Sequence, residues 1–329
     1  MEEQKHVEYR NLGNSGLKVS VVGLGCNNFG GRTDAAGTAA VVNKCIDMGI
    51  TLFDTADLYG RGRSEEFMAP VLKPHRRNIV LATKSGGPMG EGPYMRGASR
   101  KYLMDALDDC LRRLETDYID LYQLHMPDAT TPIEETLRTM DDMVHSGKVR
   151  YIGCCNFGGW QIADAMWTAK TEHLTPLISA QNQYSLLERA IEGEVAPACL
   201  RFGLGVLPYF PLASGFLTGK YKKDAPMPEG ARLSAPNNPF ASRILNDDNY
   251  EKLAALEEFA TARGHTMVEL AISWLACQPY IGSVISGATR PEQVEENARS
   301  ADWKLTDEDK KLIDEIMDHA RADAGGRRV

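Results

Sequence analysis

Eight short apolar runs, each followed by an amphipathic stretch, leave few folds open to this chain. They occupy residues 19–24, 51–53, 79–83, 118–124, 149–153, 177–180, 204–208 and 281–285. Runs of this length suit buried strands, and the segments between them repeat apolar residues at helical spacing. Helix ends are legible too. Thr131-Pro132-Ile133-Glu134 reads as an N-cap, a proline at the first helical position and a capping-box glutamate, with Leu137, Met140 and Val144 on one face behind it. Ser99 reads as the cap of a helix with the stripe Leu103, Ala106, Leu107, Cys110, Leu111 and Leu114, while Gly49 and Gly147 stand where helices stop. Strand and helix in alternation predict an α/β fold with a parallel sheet. Eight such units without a linker or a composition break predict a (β/α)8 TIM barrel, a single domain over residues 1–329. An open, doubly wound sheet is the competing arrangement, because strand order alone does not show closure.

Two segments depart from the alternation. "EYRNLGNSGLKVS" predicts an N-terminal β-hairpin turned by Asn14-Ser15-Gly16, placed to plug the bottom of the barrel. Residues 221–248, after strand seven, carry Pro226, Pro228, Pro236 and Pro239, two consecutive asparagines and no helical period. A loop this long inside a compact domain is usually a lid or a binding loop, the bland alternative being a floppy insertion.

Composition removes several function classes. Asp and Glu (45) exceed Lys and Arg (37) for a net charge of -8, and no block of like charge marks a nucleic-acid or membrane surface. No apolar run approaches the ~20 residues of a membrane span, and "MEEQKHVEYRNLG" lacks the apolar core of a signal peptide. The seven cysteines form no C-x-x-C pair and the seven histidines no metal-ligand pattern. Reduced thiols, a cytoplasmic location and no bound metal are the expectations.

The polar residues fall in one pattern. Asp54 follows strand two, Lys84 ends strand three, His125 ends strand four and Asn156 follows strand five. Gln181 ends strand six, Tyr209 follows strand seven and Ser286 ends strand eight. Any one of these reads equally well as solvated surface, but seven in succession do not. In a barrel the carboxyl ends of the strands surround one mouth, where active sites lie. In "FDTADLYGRGRSEE" the acid at 54 is followed by a phenol at 59. A phenol with an unperturbed pKa of ~10 is a poor acid near neutrality. An ammonium such as Lys84 would lower that pKa, Asp54 would hold the ammonium, and His125 would orient a substrate oxygen. Tyr, Lys, Asp and His without a metal suit protonation of an oxyanion formed as a cofactor adds hydride to a carbonyl.

At these residues the chain resembles the aldo-keto reductase family. The likeness runs from "GLGCNNFGG" to "ISGATRPEQVEENARS" and includes "FDTADLYGRGRSEE", "YIDLYQLHMPD", "LISAQNQYSLLER" and "PYFPLASGFLTGKY". It implies a catalytic tetrad of Asp54, Tyr59, Lys84 and His125, with Tyr59 as general acid, and an extended nicotinamide cofactor across the barrel mouth. It further implies that Asn156 and Gln181 hold the carboxamide and Tyr209 stacks on the ring. Pro211, Leu212, Ala213, Gly215, Leu217 and Lys220 would border the pyrophosphate. Gly287, Thr289, Arg290, Gln293, Glu296 and Asn297 would grip the adenosine end. Gly25, Cys26 and Asp54 complete the expected cofactor contacts. The sequence departs from the family at Cys155, where a serine is frequent, and at Gly25-Cys26, where Gly-Thr is common; a thiol is the weaker hydrogen-bond partner.

Arg290 lies just before the helix that Pro291 begins, and a helix N-terminus and a guanidinium both favour phosphate. NADPH is therefore expected rather than NADH, unless Arg290 pairs with Glu292 or Glu295. Phe29, Tyr59, Met126 and Trp160 are expected to form apolar walls for a small-molecule carbonyl or alcohol. Met143 and Trp167 read as core, and Cys154 with Cys155 as packing rather than a redox pair. "GLGCNNFG" and "GFLTGKY" fail the dinucleotide and P-loop fingerprints on spacing. Two rivals stand beside a reductase. One is a cofactor-holding partner protein resembling potassium-channel β subunits; the other is a barrel isomerase or aldolase using Lys84 as a Schiff base.

Overall fold

The computed structural model describes residues 7–235 and 238–325, with side chains to residue 318. Residues 1–6 of the polar N-terminus, and Pro236 and Asn237 of the long loop, lie outside the described residues. An antiparallel hairpin pairs β1 (Tyr9–Asn11) with β2 (Lys18–Ser20). Eight parallel strands follow: β3 (Val22–Gly25), β4 (Leu52–Asp54), β5 (Val80–Ser85), β6 (Ile119–Leu124), β7 (Val149–Cys155), β8 (Leu177–Gln181), β9 (Gly205–Val206) and β10 (Val284–Gly287). The strand order is β10-β3-β4-β5-β6-β7-β8-β9. Closure comes from parallel bridges of Val206 to Ile281 and Tyr209 to Ile285. Val206 N donates to Tyr280 O (2.8 Å), Gly282 N to Val206 O (2.9 Å) and Ile285 N to Pro208 O (3.0 Å). The sheet is a closed barrel, not an open doubly wound one.

All eight expected strands are present, with two instructive shifts. The first apolar run is split. Residues up to Ser20 join the hairpin, and the chain bends there because the buried Ser20 hydroxyl donates to Val22 O and accepts from Thr51 N. Strand seven keeps only two laddered residues, since Pro208 brings no N–H. Its Gly205 also lies against the hairpin, where a Cβ would sit 2.6 Å from Gly13 N.

The hairpin does plug the barrel. Leu12 is fully buried and packs with Val19, Leu52, Val80, Ala82, Leu121, Leu207 and Ile285 inside the strands. Burial of one such leucine stabilises by about 1.5–3 kcal/mol. The larger core lies between strands and helices. Met143 is in it, but Trp167 is 49% exposed and meets Phe202 edge-on at the surface, against expectation. Ser99 caps its helix as expected. Thr131 does not: its hydroxyl donates to Asp128 Oδ2 (2.9 Å), and the helix Ile133–His145 starts without a side-chain cap. Pro132 takes the N-cap position, which leaves Thr131 one residue too early for its oxygen to receive a first-turn N–H. The loop after strand seven is more ordered than its composition suggested, with helical turns at Arg232–Ser234 and Ala241–Ile244. Asn238 helps make it so, donating to Arg232 O and accepting from Phe240 N.

Candidate active site

Strand ends deliver the polar residues to one mouth. A cavity of about 530 Å³ is lined by Asp54, Tyr59, His125, Asn156, Gln181, Tyr209 and Ser286. Lys84 lies beneath it, fully buried. Its Nζ donates to Asp54 Oδ2 (2.7 Å) and Thr55 O (2.9 Å), and approaches Tyr59 Oη at 3.4 Å. The other Asp54 oxygen accepts from Gln181 (2.9 Å) and Gln123 (3.2 Å). The Lys84–Asp54 pair thus reaches four further groups, Thr55 O, Tyr59 Oη, Gln181 and Gln123, the internal satisfaction that a buried ion pair needs in order to be tolerated.

Tyr59 is presented by a glycine-dependent turn. Gly60 has φ +59 and packs on Gly30, φ +71, so that a Cβ on Gly60 would meet Gly30 atoms at 3.1 Å. Left-handed backbone and close approach together demand glycine there. The Tyr59 ring meets His125 edge-on at 5.8 Å between centroids. Burial, the largest influence, pushes the Tyr59 phenol up to about 12; Lys84 pulls the other way and loses. The expectation that Lys84 would leave it more acidic than an ordinary phenol is corrected for the site as it stands. Desolvation disfavours phenolate more than the ammonium favours it. Burial likewise would depress Lys84, but Asp54 and then Tyr59 hold its ammonium above the ordinary value. Burial and Lys84 hold His125 down at about 3, a neutral imidazole whose buried Nδ1 meets no partner.

The rest of the mouth is held by strained loops. Asn156 has φ +60, donates to His125 O (2.9 Å) and accepts from the Tyr209 hydroxyl (2.8 Å). Phe210, Ala213 and Ser214 also have positive φ. Such backbone persists only where surroundings over-determine it, and it clusters at ligand sites. The two cysteine departures behave as packing groups. Cys26 Sγ donates to Leu24 O (3.5 Å), and Cys155 Sγ to Gln123 Oε1 (3.8 Å), propping the amide that supports Asp54. Burial raises both thiols well above their ordinary range. Cys154 is likewise buried, in no disulfide, its Sγ donating to Ser179 O (3.7 Å).

The far end of the cavity is basic. Arg32, Lys220, Arg232 and Arg290 all line it. Arg32 donates to Gly230 O (2.7 Å) and Arg232 to Asn28 Oδ1 (2.8 Å), which draws residues 230–232 of the long loop across the mouth. Among the described residues the nearest carboxylate to any of the four is Glu292, 4.0 Å from an Arg290 that is 69% exposed. Glu295, the other partner foreseen for Arg290, is engaged by Lys44 instead. Burial, then Arg32, Arg290 and Arg232, lower the Lys220 ammonium. Four cations without a matched anion, above the glycines Gly25 and Gly287, fit a polyanionic ligand. A Cβ on Gly25 would come within 3.0 Å of Ile285, so side chains are kept off that floor.

Of the expected cofactor residues, Gly25, Cys26, Asp54, Asn156, Gln181, Tyr209, Pro211, Leu212, Gly215, Lys220, Gly287, Thr289, Arg290 and Gln293 line this cavity. Ala213, Leu217 and Asn297 are buried behind it, and Glu296 is exposed beside it. Phe29 is a core residue rather than a substrate wall, while Met126 and Trp160 stand exposed outside the cavity. Sequence reasoning missed Asn28, Arg32, Gln123 and Arg232. "NNFGGR" directly follows a strand and was open to the same strand-end argument. Arg232 carries no local signal, because only the fold of the loop brings it back.

Among the described residues no helix is long and apolar enough to cross a membrane, and no group of three His, Cys, Asp or Glu could hold a metal. Comparison with known proteins settles the class. The model of the aldo/keto reductase family matches residues 21–318. The chain is 38% identical over 304 residues to a probable voltage-gated potassium channel subunit beta of Arabidopsis thaliana, covering 90% of this chain and 92% of that one. It is 34% identical to L-glyceraldehyde 3-phosphate reductase of Escherichia coli K12 over 91% and 89% of the two chains. It is 33% identical to the aldo-keto reductase YhdN of Bacillus subtilis over 97% and 96%. The chain belongs to the aldo/keto reductase family. It is an NAD(P)H-dependent oxidoreductase.

Proposed function

We propose that the protein catalyses the reversible, NADPH-dependent reduction of an aldehyde or ketone to the alcohol, with Tyr59 as proton donor. One observation carries this reading: a phenol kept protonated, 3.4 Å from a buried ammonium, opens into the cavity whose other end holds four unmatched cations. Bound NADPH supplies the hydride. Tyr59 holds the proton at Oη; Lys84 stands ready to stabilise the phenolate left behind, and Asp54 keeps Lys84 charged and in place. His125, neutral at every ordinary pH, offers a ring nitrogen to a substrate oxygen.

On this reading Asn156, Gln181 and Tyr209, which line the cavity, would hold the nicotinamide end. Pro211, Leu212, Gly215 and Lys220 would border the pyrophosphate, and Gly287, Thr289, Arg290 and Gln293 would hold the adenosine end. Ala213, Leu217, Glu296 and Asn297 support these segments from behind or beside. The apolar Phe210, edge-on to Tyr209 at 5.2 Å in the cavity lining, suits a carbonyl compound with some hydrophobic surface.

The Arabidopsis relative's name favours a second reading, a cofactor-holding partner protein. Steady-state NADPH oxidation across a panel of aldehydes and ketones separates the two. Many turnovers per chain are expected; NADPH binding without turnover beyond one equivalent on any substrate would leave only the partner reading.

A further inference from the structure

A second buried polar cluster lies behind Tyr59. Asp57, two residues before the phenol, is 1% exposed, and its Oδ1 meets no partner. Glu65, also buried, accepts from Thr83 Oγ1 (2.6 Å) and Arg113 Nε (2.6 Å). The guanidinium of this cluster is therefore spent on Glu65. Tyr102, on the helix Arg100–Arg113, places its hydroxyl 3.4 Å from Asp57 Oδ2 and 3.3 Å from Gly87 O.

One phenolic hydrogen cannot serve two acceptors. With Asp57 ionised, the Tyr102 hydroxyl must leave either the carboxylate, whose Oδ1 is already unpartnered, or the Gly87 carbonyl one donor short, in a region nearly closed to solvent. A proton on Asp57 removes the conflict. The carboxylic acid then donates to Tyr102 Oη, and Tyr102 donates to Gly87 O. That chain joins two segments of the active-site mouth. Asp57 N already donates to Lys84 O (3.1 Å). At the other end, a Cβ on Gly87 would lie 3.2 Å from Leu58 and 3.8 Å from His125 Nδ1.

We propose that Asp57 is a positioning residue acting as a neutral acid: its proton completes the Asp57–Tyr102–Gly87 chain, which fixes Tyr59 relative to His125, and loss of that proton loosens this side of the site. The inference rests on the reductase reading of Tyr59 and His125. Burial first, and then the Glu65 carboxylate, push the Asp57 carboxyl up to about 7, against smaller pulls from Ser85, Leu58 N and Arg113. Other titratable groups of the cluster are Glu65, Tyr102, Cys110, Arg113 and Tyr122. Burial holds Tyr102, Cys110 and Tyr122 protonated, while Glu65 keeps Arg113 charged against its burial. Burial also raises Glu65, against the pull of Arg113. With Tyr59 at about 12 and His125 at about 3, the tetrad leaves the neutral range to Asp57.

The test is kcat at saturating NADPH and aldehyde from about pH 5.5 to about pH 8.5, in wild type, Asp57→Asn and Tyr102→Phe. Wild type should lose roughly three- to tenfold in kcat as Asp57 ionises. Asp57→Asn cannot titrate and should hold the low-pH rate throughout; Tyr102→Phe should show the reduced rate at every pH. An inflection that survives in Asp57→Asn belongs to another group, Glu65 foremost, and overturns the proposal, as does a level wild-type profile. A merely structural role would slow the variants and leave the inflection in place.

Thermal unfolding supplies a readout without turnover. A carboxyl whose folded pKa is raised contributes stability that is full below its unfolded value near ~4 and is lost as pH rises through the folded one. The Tm of wild type should therefore fall relative to Asp57→Asn between about pH 5 and about pH 8. A difference that ignores pH removes the buried proton whatever the rates show. A pH-dependent difference in a protein that turns over no carbonyl would sink the reductase reading and retain the proton-dependent chain.

Discussion

The two ends of the cavity treat charge in opposite ways. At the catalytic end every charge is matched within the protein. Lys84 and Asp54 are 0% and 3% exposed in their side chains and pair at 2.7 Å, with both aspartate oxygens engaged. At the basic end, among the described residues, no carboxylate comes closer to any of the four cations than Glu292, 4.0 Å from Arg290. A desolvated ion pair must be satisfied internally, since water cannot do it. Half-exposed cations tolerate waiting, because solvent screens them until an anion arrives. Internal compensation therefore marks machinery that is finished before the ligand binds, and missing compensation marks the surface that the ligand completes. Substitutions at the first end should damage rate and stability together. Those at the second should damage affinity and leave the fold alone.

The sharpest break in that contrast is Tyr59→Phe. It removes the phenolic proton held beside the Lys84 ammonium and breaks no ion pair, so kcat should fall on the order of 10²–10⁴-fold. NADPH binding, followed by fluorescence quenching, should persist. A Phe variant that keeps most of its turnover would move the acid elsewhere. Lys84→Met comes next and should separate the ends further. It strands Asp54 with no cation, which should cost about 3–5 kcal/mol in denaturant unfolding besides most of kcat. Lys84→Arg should not restore the rate, because a planar fork cannot occupy the point between Asp54 Oδ2, Thr55 O and Tyr59 Oη. Wild-type kinetics in that variant would show that the ammonium is not needed at that point.

The same division explains what could be read from the sequence. The barrel was legible because eight apolar runs repeat one local instruction, and Asp54, Lys84 and Gln181 were legible because each ends such a run. Residues fixed by non-local packing were not. Arg232 matters only because the loop returns across the mouth onto Asn28, and Gln123 because β6 faces Asp54 across β5. The sign of the Tyr59 shift escaped for a similar reason. Spacing announces a neighbouring charge such as Lys84, whereas the burial that outweighs it is a property of the finished cavity. Trp167 failed in the other direction, since a helical stripe names a face but not what covers it.

The smallest expected effect tests the basic end alone. Arg290 stands at the N-cap position of the helix Pro291–Arg299 without a side-chain capping bond, is largely exposed, and among the described residues has Glu292 as its nearest carboxylate, at a distance where attraction is weak. A 2′-phosphate held there would gain the helix N-terminus and the guanidinium together. Arg290→Ala should therefore lower kcat/KM for NADPH roughly ten- to thirtyfold, leave NADH nearly unchanged, and leave Tm where it was. Lys220→Ala, against Gly215 in the same strained turn as Ala213 and Ser214, should instead weaken both cofactors, because a pyrophosphate is common to them. The NADPH advantage of wild type should also shrink as salt is raised, since an exposed contact is screened beyond about 8 Å at physiological ionic strength. Equal losses for both cofactors in Arg290→Ala, or a wild type that prefers NADH, would mean that the guanidinium stays in solvent and that the unmatched charge at this end serves the pyrophosphate alone.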